Sequence, residues 1–559
     1  MKTIVRSLRP RRSARPRNIL CLTVDRLAAD MLGAYGATWL ETPAFDALAA
    51  ESVLFDSFHA SSLDVDALCR VMWRGEDPAK FLVGADSDAN AADASDAQSA
   101  PSIFGIMKAR GYRTFLLSDV ENVALSECVD SEECDGRFLL DGVHVDAPVE
   151  SLEETAFFRN FEELAKFLVK LEDETSFDET RPWFVWAHFS GWNESWDFPL
   201  SLREQYRDPG DEDDPGDPEP YAGVAPAYWR RAPIAPSVAA RRRRYDLPDP
   251  DAEPVPHLSD DATLDERERA RLAAMDEADR RQSVVEAYAG GISAFDETLE
   301  GFMALMEEHG ILKNALFALA GTRGAALGAP SGLGVPGPDD KTSPFYAEET
   351  RVPLAIRLPD GTGATVRLPG LCETRDLFAT LRDWPEFAPQ LASDDFWKIE
   401  KLEISPLAGV WSANGENVAK VIRKGDDAND DSNPVSAEPE DAAATSDLDA
   451  YRRLDPTAPG ANLLALLADE ERAVRDVVRV VARDASSAER AVVLDRWYLK
   501  RTPLDPKKPA EDEFLRDDEL EAPTERVELF VLPDDRYCVN DVADRCVDVA
   551  DAVRELLDR

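Results

Sequence analysis

The chain has 559 residues, 44% of them hydrophobic, so it is long enough to bury a large core and to hold more than one domain. Its 110 Asp and Glu residues outnumber 63 Lys and Arg residues and give a formal charge of −47, which argues against nucleic acid or anionic membrane as a general partner of the surface. No apolar run is long enough for a transmembrane helix, and the basic residues 1–17 lead into a strand without the apolar core of a secretory signal. We therefore expect a cytoplasmic protein that begins with a basic flexible arm.

Cysteine usage is consistent with a reducing compartment. The seven cysteines are an odd number and are spread thinly over the chain, so they do not form a disulfide framework. Two pairs close in sequence, Cys128 with Cys134 and Cys538 with Cys546, could still form disulfides.

The first part of the chain alternates strand and helix patterns. The apolar run Asn18–Val24 is typical of a buried strand and ends on Asp25 and Arg26. One helical pattern begins near residue 42, and others cover 102–111, 157–171 and 284–309. Strand patterns cover 112–118, 182–189, 315–320 and 351–359. This alternation predicts an α/β fold with a mostly parallel central sheet flanked by helices.

The remaining segments predict the domain organisation. The Ala- and Asp-rich residues 84–100 predict a surface loop, and the acidic low-complexity residues 426–449 predict a disordered loop. Strand patterns at 491–494, 497–499 and 527–532 and a last helix at 547–557 predict a smaller C-terminal α+β subdomain. We expect a basic arm at 1–17, an α/β domain at 18–390 with insertions near 76–101 and 205–280, and the subdomain at 391–559.

Five stretches in a fixed order carry a resemblance to one family: residues 18–75, the strand after Arg181, and residues 288–328, 346–353 and 490–530. Through them the chain resembles the sulfatase family, within the alkaline-phosphatase-like superfamily. The resemblance implies that fold and a calcium ion held by oxygen ligands from two strand ends. It also implies a formylglycine nucleophile made by oxidising the Cys or Ser of a C/S-x-P-x-R motif.

The positions that the resemblance assigns to calcium are changed. Where the family has two adjacent acids after the first strand, this chain has Asp25 and Arg26. Where the family has Asp and then His or Asn after a late strand, this chain has Thr322 and Arg323. Arginine has no lone pair to give a metal, and one acid against two arginines makes the site charge about +1. We therefore expect no metal and no other cofactor.

The positions assigned to the nucleophile and the substrate are changed as well. An ungapped count places the nucleophile at Val65 and the arginine of the motif at Cys69. Cys69 lacks the Pro and Arg that should follow a modified cysteine, so a buried helix cysteine is the favoured interpretation. The family's downstream lysine falls at Asp119, its Pro-His pair falls at Trp192–Asn193, and Lys341 lies one residue from another family lysine.

These changes predict a sulfatase-like protein that has lost sulfuric ester hydrolase activity and has no catalytic residue. In one version of this hypothesis the old pocket binds a sulfated or other anionic small molecule or glycan. The candidate ligand-binding residues are Asp25, Arg26, Arg70, Asn193, Thr322, Arg323 and Lys341. In the other version, which we favour, Arg26 and Arg323 pair with Asp25 and neighbouring acids, and their side chains fill the cavity. The rival hypothesis is an active sulfatase or phosphoesterase-type hydrolase that uses relocated groups such as Asp64, Asp66 or Cys69.

Overall fold

A computed structural model describes residues 18–78, 101–140 apart from 125 and 127, 148–175, 181–193, 196–206, 277–327, 346–391, 451–468 apart from 452, 473–481, 489–503 and 525–559. Several features predicted from the sequence lie outside the described residues. They are the basic arm 1–17, the loop 84–100, most of the insertion 205–280, Lys341 and the acidic loop 426–449.

The central sheet has eight strands: β1 (Asn18–Val24), β2 (Val53–His59), β3 (Arg113–Ser118), β4 (Gly136–Leu139), β5 (Trp183–Phe189), β6 (Ala315–Gly321), β7 (Leu354–Arg357) and β8 (Val366–Glu373). Their order across the sheet is β4-β3-β5-β1-β6-β7-β2-β8. Among these described strands, β7 alone runs antiparallel to its neighbours, and all other pairs are parallel. The predicted mostly parallel sheet is confirmed.

Helices cover both faces of this sheet. They are α1 (Pro43–Ala50), α2 (Val65–Arg74), α3 (Ile103–Ala109), α4 (Glu121–Ala124), α5 (Ala156–Thr175), α6 (Leu200–Glu204), α7 (Glu277–Glu308), α8 (Ala347–Thr350) and α9 (Thr374–Leu391). Side chains of β1 alternate between the two faces: Leu20 and Leu22 pack in the cluster that includes α5 and α7, whereas Ile19 and Cys21 pack in the cluster that includes α2 and α9. The uninterrupted apolar run of β1 follows from this burial on both sides.

A second, antiparallel sheet lies in the C-terminal part of the chain. It consists of β9 (Val477–Val481), β10 (Arg490–Leu494), β11 (Trp497–Pro503) and β12 (Glu525–Val531), in the order β12-β11-β10-β9, with α10 (Val547–Arg554) packed on it. This sheet confirms the α+β character predicted there, while the boundary at residue 391 stays a prediction. At its edge, the Val481 N–H donates to the Ser61 carbonyl, which ties β9 to the loop that precedes α2.

Two further properties concern the whole of the described chain. All seven cysteines are free thiols, including the four that could have paired. Among the described residues, no helix is both long and apolar enough to cross a membrane.

Candidate functional site

The site is built where β1 and β6 end side by side. The two strands are parallel neighbours with Val24 opposite Gly321, so the residues that follow each strand emerge at the same edge of the sheet. Four of the seven predicted ligand-binding residues meet here and are all buried: Asp25, Arg26, Thr322 and Arg323. The carboxyl edge of the sheet therefore holds two arginines and an aspartate in its interior.

Arg323 and Asp25 form a two-point ion pair. The Arg323 Nε and Nη2 groups donate to Asp25 Oδ1 and Oδ2, each at 2.9 Å, and the Thr322 hydroxyl donates to Oδ1 at 2.8 Å. The third guanidinium nitrogen donates to the Leu63 carbonyl oxygen at 2.6 Å. Burial acts to raise the pKa of the Asp25 carboxyl, but the charge and hydrogen bonds of Arg323 hold that pKa below its usual value. Asp25 is thus an ionised carboxylate with both oxygens engaged by protein donors.

Arg26 pairs with an acid from a different part of the chain. Its Nη1 lies 3.4 Å from Oε1 of Glu349 on α8, and both side chains are about 1% exposed or less. The Arg26 backbone has a φ of 58°, in the left-handed region that is uncommon for residues other than glycine. The Tyr288 hydroxyl donates to the Arg26 carbonyl oxygen at 2.6 Å and accepts from the Ala28 N–H at 2.9 Å, which holds this conformation in place.

Glu349 is the residue that sequence reasoning missed. With it, the buried centre has two carboxylates and two guanidinium groups, so its charge is balanced rather than about +1. The only signal in the sequence was its position in the stretch 346–353, which already matched the family pattern. That stretch contains two adjacent acids, Glu348 and Glu349, and the sequence does not distinguish the buried one from its neighbour.

The end of β5 contributes a buried, neutral histidine. His188 Nδ1 lies 3.0 Å from the Thr23 hydroxyl oxygen, which also accepts from the Trp186 indole N–H at 3.1 Å. Burial lowers the pKa of His188, although the charges of Asp25 and Asp119 oppose this shift. The imidazole is therefore neutral and has a structural role near the carboxyl end of β5.

Two family positions for substrate binding now have other roles. Asp119 accepts hydrogen bonds from the Ser190 N–H at 2.8 Å, the Ser190 hydroxyl at 2.6 Å and the Asn160 amide at 2.8 Å. Trp192 is fully buried and stacks on Tyr288, with ring centroids 5.0 Å apart. Asp119 is thus engaged by protein hydrogen-bond donors, and Trp192 is part of the aromatic core.

Gly191, the residue before Trp192, lies very close to the backbone of Asp25. Gly191 has a φ of 54°, and a Cβ at this position would lie 2.0 Å from the Asp25 carbonyl oxygen. Asn193 ends the same short 3-10 helix, Gly191–Asn193, and only its backbone is described. A glycine is thus required where β5 turns away beneath Asp25.

The start of α2 faces the same edge. Val65 is the first residue of α2, and the Asp64 carboxylate caps the helix by accepting from the Ala67 N–H at 2.7 Å. Cys69 is 1% exposed, and burial, followed by Cys128 and nearby acids, raises the pKa of its thiol well above the usual value. Arg70 lies on the solvent side of α2 with 45% of its side chain exposed, 3.5 Å from Glu76.

The residues at this edge do not fit a calcium ion. Calcium takes about six to eight oxygen ligands, several of them carboxylates, whereas this centre has two, Asp25 and Glu349, and Glu349 is paired with Arg26. Both oxygens of Asp25 already accept hydrogen bonds from Arg323. Within the part of the chain that the structure describes, no group of three or more His, Cys, Asp or Glu side chains is arranged to hold a metal ion.

Comparison with known proteins agrees with this architecture. The profile of the sulfatase family matches residues 17–385. Among curated proteins, none matches the chain in sequence.

Solved structures share the fold at low sequence identity. The protein BT4656, determined in complex with its substrate D-glucosamine-2-N,6-O-disulfate, is 15% identical with a TM-score of 0.56 over 97% of both chains. The phosphonate monoester hydrolase of Agrobacterium radiobacter is 15% identical with a TM-score of 0.54, over 97% of this chain and 95% of its own. The putative sulfatase yidJ from Bacteroides fragilis is 13% identical with a TM-score of 0.52, over 98% and 96%. With the family profile spanning most of the α/β part, the chain belongs to the sulfatase family.

Proposed function

We propose that this protein is a sulfatase-family member that does not hydrolyse sulfuric esters. The observation that carries the proposal is the buried ion pair in which Arg323 donates to both oxygens of Asp25. In this family the acid at the end of the first strand is expected to bind a calcium ion, whose charge stabilises the sulfate oxygens in the transition state. Here that acid is neutralised by a protein side chain.

Arg323 is poorly placed to bind and stabilise sulfate oxygens as the metal would. Its Nε, Nη1 and Nη2 groups all donate to protein oxygens at 2.6–2.9 Å, and the residue is only 5% exposed. Its charge is already balanced by Asp25, so a sulfate ion would have to compete with that carboxylate inside a buried centre. Because a buried carboxylate without a partner is strongly unfavourable, displacing Asp25 from Arg323 is costly. The geometry therefore favours a filled cavity over an anion-binding one.

The relocated nucleophile of the rival hypothesis also lacks support. A cysteine reacts as its thiolate, and the buried Cys69 thiol has a raised pKa. Asp64 is engaged as the helix cap of α2. Asp66 is exposed on the first turn of the same helix, and no described histidine or lysine bonds to it.

Turnover of chromogenic esters tests the proposal. Purified protein is assayed with para-nitrophenyl sulfate and para-nitrophenyl phosphate, with added calcium and with a chelator, and Cys69→Ala serves as the matched variant. The expected rate equals the buffer blank for both proteins and both esters. Turnover of either ester by the wild type overturns the proposal, and its loss in Cys69→Ala would identify the relocated nucleophile.

Ligand binding without turnover is a separate question. BT4656 was determined with a sulfated sugar, which supports a sulfated or other anionic ligand as the class to test on this chain. Calorimetric titration of inorganic sulfate and of a sulfated glucosamine into the wild type is expected to give no heat, because Arg26 and Arg323 are already paired with carboxylates. Heat that is absent in Arg323→Lys would instead assign anion binding to this centre.

A further inference from the structure

The Arg323 guanidinium group lies among oxygen atoms from separate parts of the chain. The two Asp25 carboxylate oxygens at 2.9 Å come from the end of β1, and the Leu63 carbonyl oxygen at 2.6 Å comes from the loop before α2. These partners are 298 and 260 residues away from Arg323 in sequence. One positive group thus joins three segments at the carboxyl edge of the sheet.

The backbone around Arg323 is fixed on both sides. The Thr322 N–H donates to the Val24 carbonyl at 3.1 Å, and the Gly324 N–H donates to the Glu349 carbonyl at 2.8 Å. Gly324 also packs so closely that a Cβ there would lie 2.0 Å from the Glu348 carbonyl oxygen. The guanidinium group is therefore held between anchored segments, as a positioned group and not as a mobile side chain.

The loop that supplies Leu63 is itself tied to the C-terminal sheet. The Leu63 N–H donates to the Val481 carbonyl at 3.4 Å, and the Val481 N–H donates to the Ser61 carbonyl at 3.1 Å. Loss of the Arg323 contact to Leu63 is consequently expected to destabilise β9 as well as β1.

We propose that the Arg323 guanidinium group acts as a structural cation in place of a bound metal ion. It occupies an oxygen-lined site formed by Asp25 and the Leu63 carbonyl, and it links β1, β6 and the loop before α2. The charge needed beside the buried Asp25 carboxylate is supplied by the chain itself. The fold is then independent of divalent metal, and removing the Arg323 side chain leaves a site that accepts a free guanidinium ion.

Chemical rescue tests this inference. The Arg323→Ala variant is expected to unfold at a lower temperature than the wild type, and millimolar guanidinium chloride is expected to raise that temperature by several degrees and to saturate. Sodium chloride and urea at the same concentrations control for ionic strength and for denaturant action. The matched variant is Asp25→Asn/Arg323→Ala, in which the carboxylate is absent, so guanidinium is expected to give no rescue. Equal responses of the two variants would overturn the inference.

Two measurements keep the test decisive if Arg323→Ala does not fold. The unfolding temperature of the wild type is expected to stay the same with a chelator and with excess calcium, and a fall with the chelator would overturn the independence of the fold from divalent metal. Asp25→Asn/Arg323→Met removes both charges and is expected to be more stable than Arg323→Met, in which the Asp25 carboxylate is buried without a partner. A double variant that is no more stable than Arg323→Met would refute the charge-balancing part of the proposal. These readouts are independent of ester turnover, so they separate this inference from the proposed loss of hydrolysis.

Discussion

Replacing Glu349 by glutamine is expected to destabilise the fold far more than replacing Glu51, although Glu51 forms the shorter ion pair. Glu349 lies 3.4 Å from Arg26, and both side chains are buried. Glu51 lies 2.7 Å from Arg357, but 60% of its side chain is exposed. Glutamine retains the shape of each side chain and removes only the charge, so the two variants compare burial against distance.

The expected magnitudes follow from the surroundings of each pair. At 3.4 Å two unit charges attract by about 5 kcal/mol for an effective dielectric constant of about 20, whereas at 2.7 Å in water they attract by about 1.5 kcal/mol before side-chain entropy is subtracted. Removing one partner of a buried pair leaves an uncompensated charge and costs about 3–5 kcal/mol. Removing an exposed pair costs about 0–1 kcal/mol.

Urea denaturation followed by tryptophan fluorescence measures both effects. The unfolding free energy of Glu349→Gln is expected to fall by about 3–5 kcal/mol with an unchanged dependence on urea, and that of Glu51→Gln by less than about 1 kcal/mol. If the two variants differ by less than about 0.5 kcal/mol, burial of the Arg26 pair does not control its contribution and the reasoning is refuted.

Two further predictions concern a buried histidine and a close backbone contact. Burial, with a smaller effect of Arg351, lowers the pKa of His59 to about 3. The histidine of the unfolded chain therefore binds a proton more readily than that of the folded chain. The unfolding free energy is expected to fall by about 1.4 kcal/mol per pH unit as the pH falls below about 6.5. Urea denaturation at neutral and acidic pH measures how far the unfolding free energy falls on acidification. That fall is expected to be smaller in His59→Gln than in the control variant His309→Gln, whose histidine is exposed, and equal falls would contradict the assignment. Gly191→Ala is expected to lose more stability than Gly111→Ala: both glycines have a positive φ, but a Cβ at Gly191 would lie 2.0 Å from a carbonyl oxygen whereas nothing lies within 4 Å at Gly111. Thermal unfolding of both variants checks this, and similar losses would show that the contact relaxes freely.

The elements that sequence patterns missed have identifiable causes. β8 contains Pro369 and Gly370, which weaken a strand pattern, and the pairing with β2 shifts register where they lie, between Leu368 and Leu371. β7 was predicted over 351–359 but covers only Leu354–Arg357, between Pro353 and Pro359, which lack the N–H needed to extend the ladder. Its antiparallel direction depends on the path of the chain before it and is not encoded in its own residues.

Sequence patterns predicted most of the strands and helices of the α/β layer, the family, and which residue types follow β1 and β6. Those features depend on apolar spacing and on motifs within short segments, which local composition encodes. Only the tertiary structure decided that Arg323 bonds to both oxygens of Asp25 and that Glu349 balances Arg26. These partners lie 298 and 323 residues apart, and the strength of each pair depends on its burial in the folded chain. The charges at the strand ends and the pairing of the arginines with nearby acids could be inferred from the chain, but the two-point geometry at Asp25 and the choice of Glu349 as the partner of Arg26 could not.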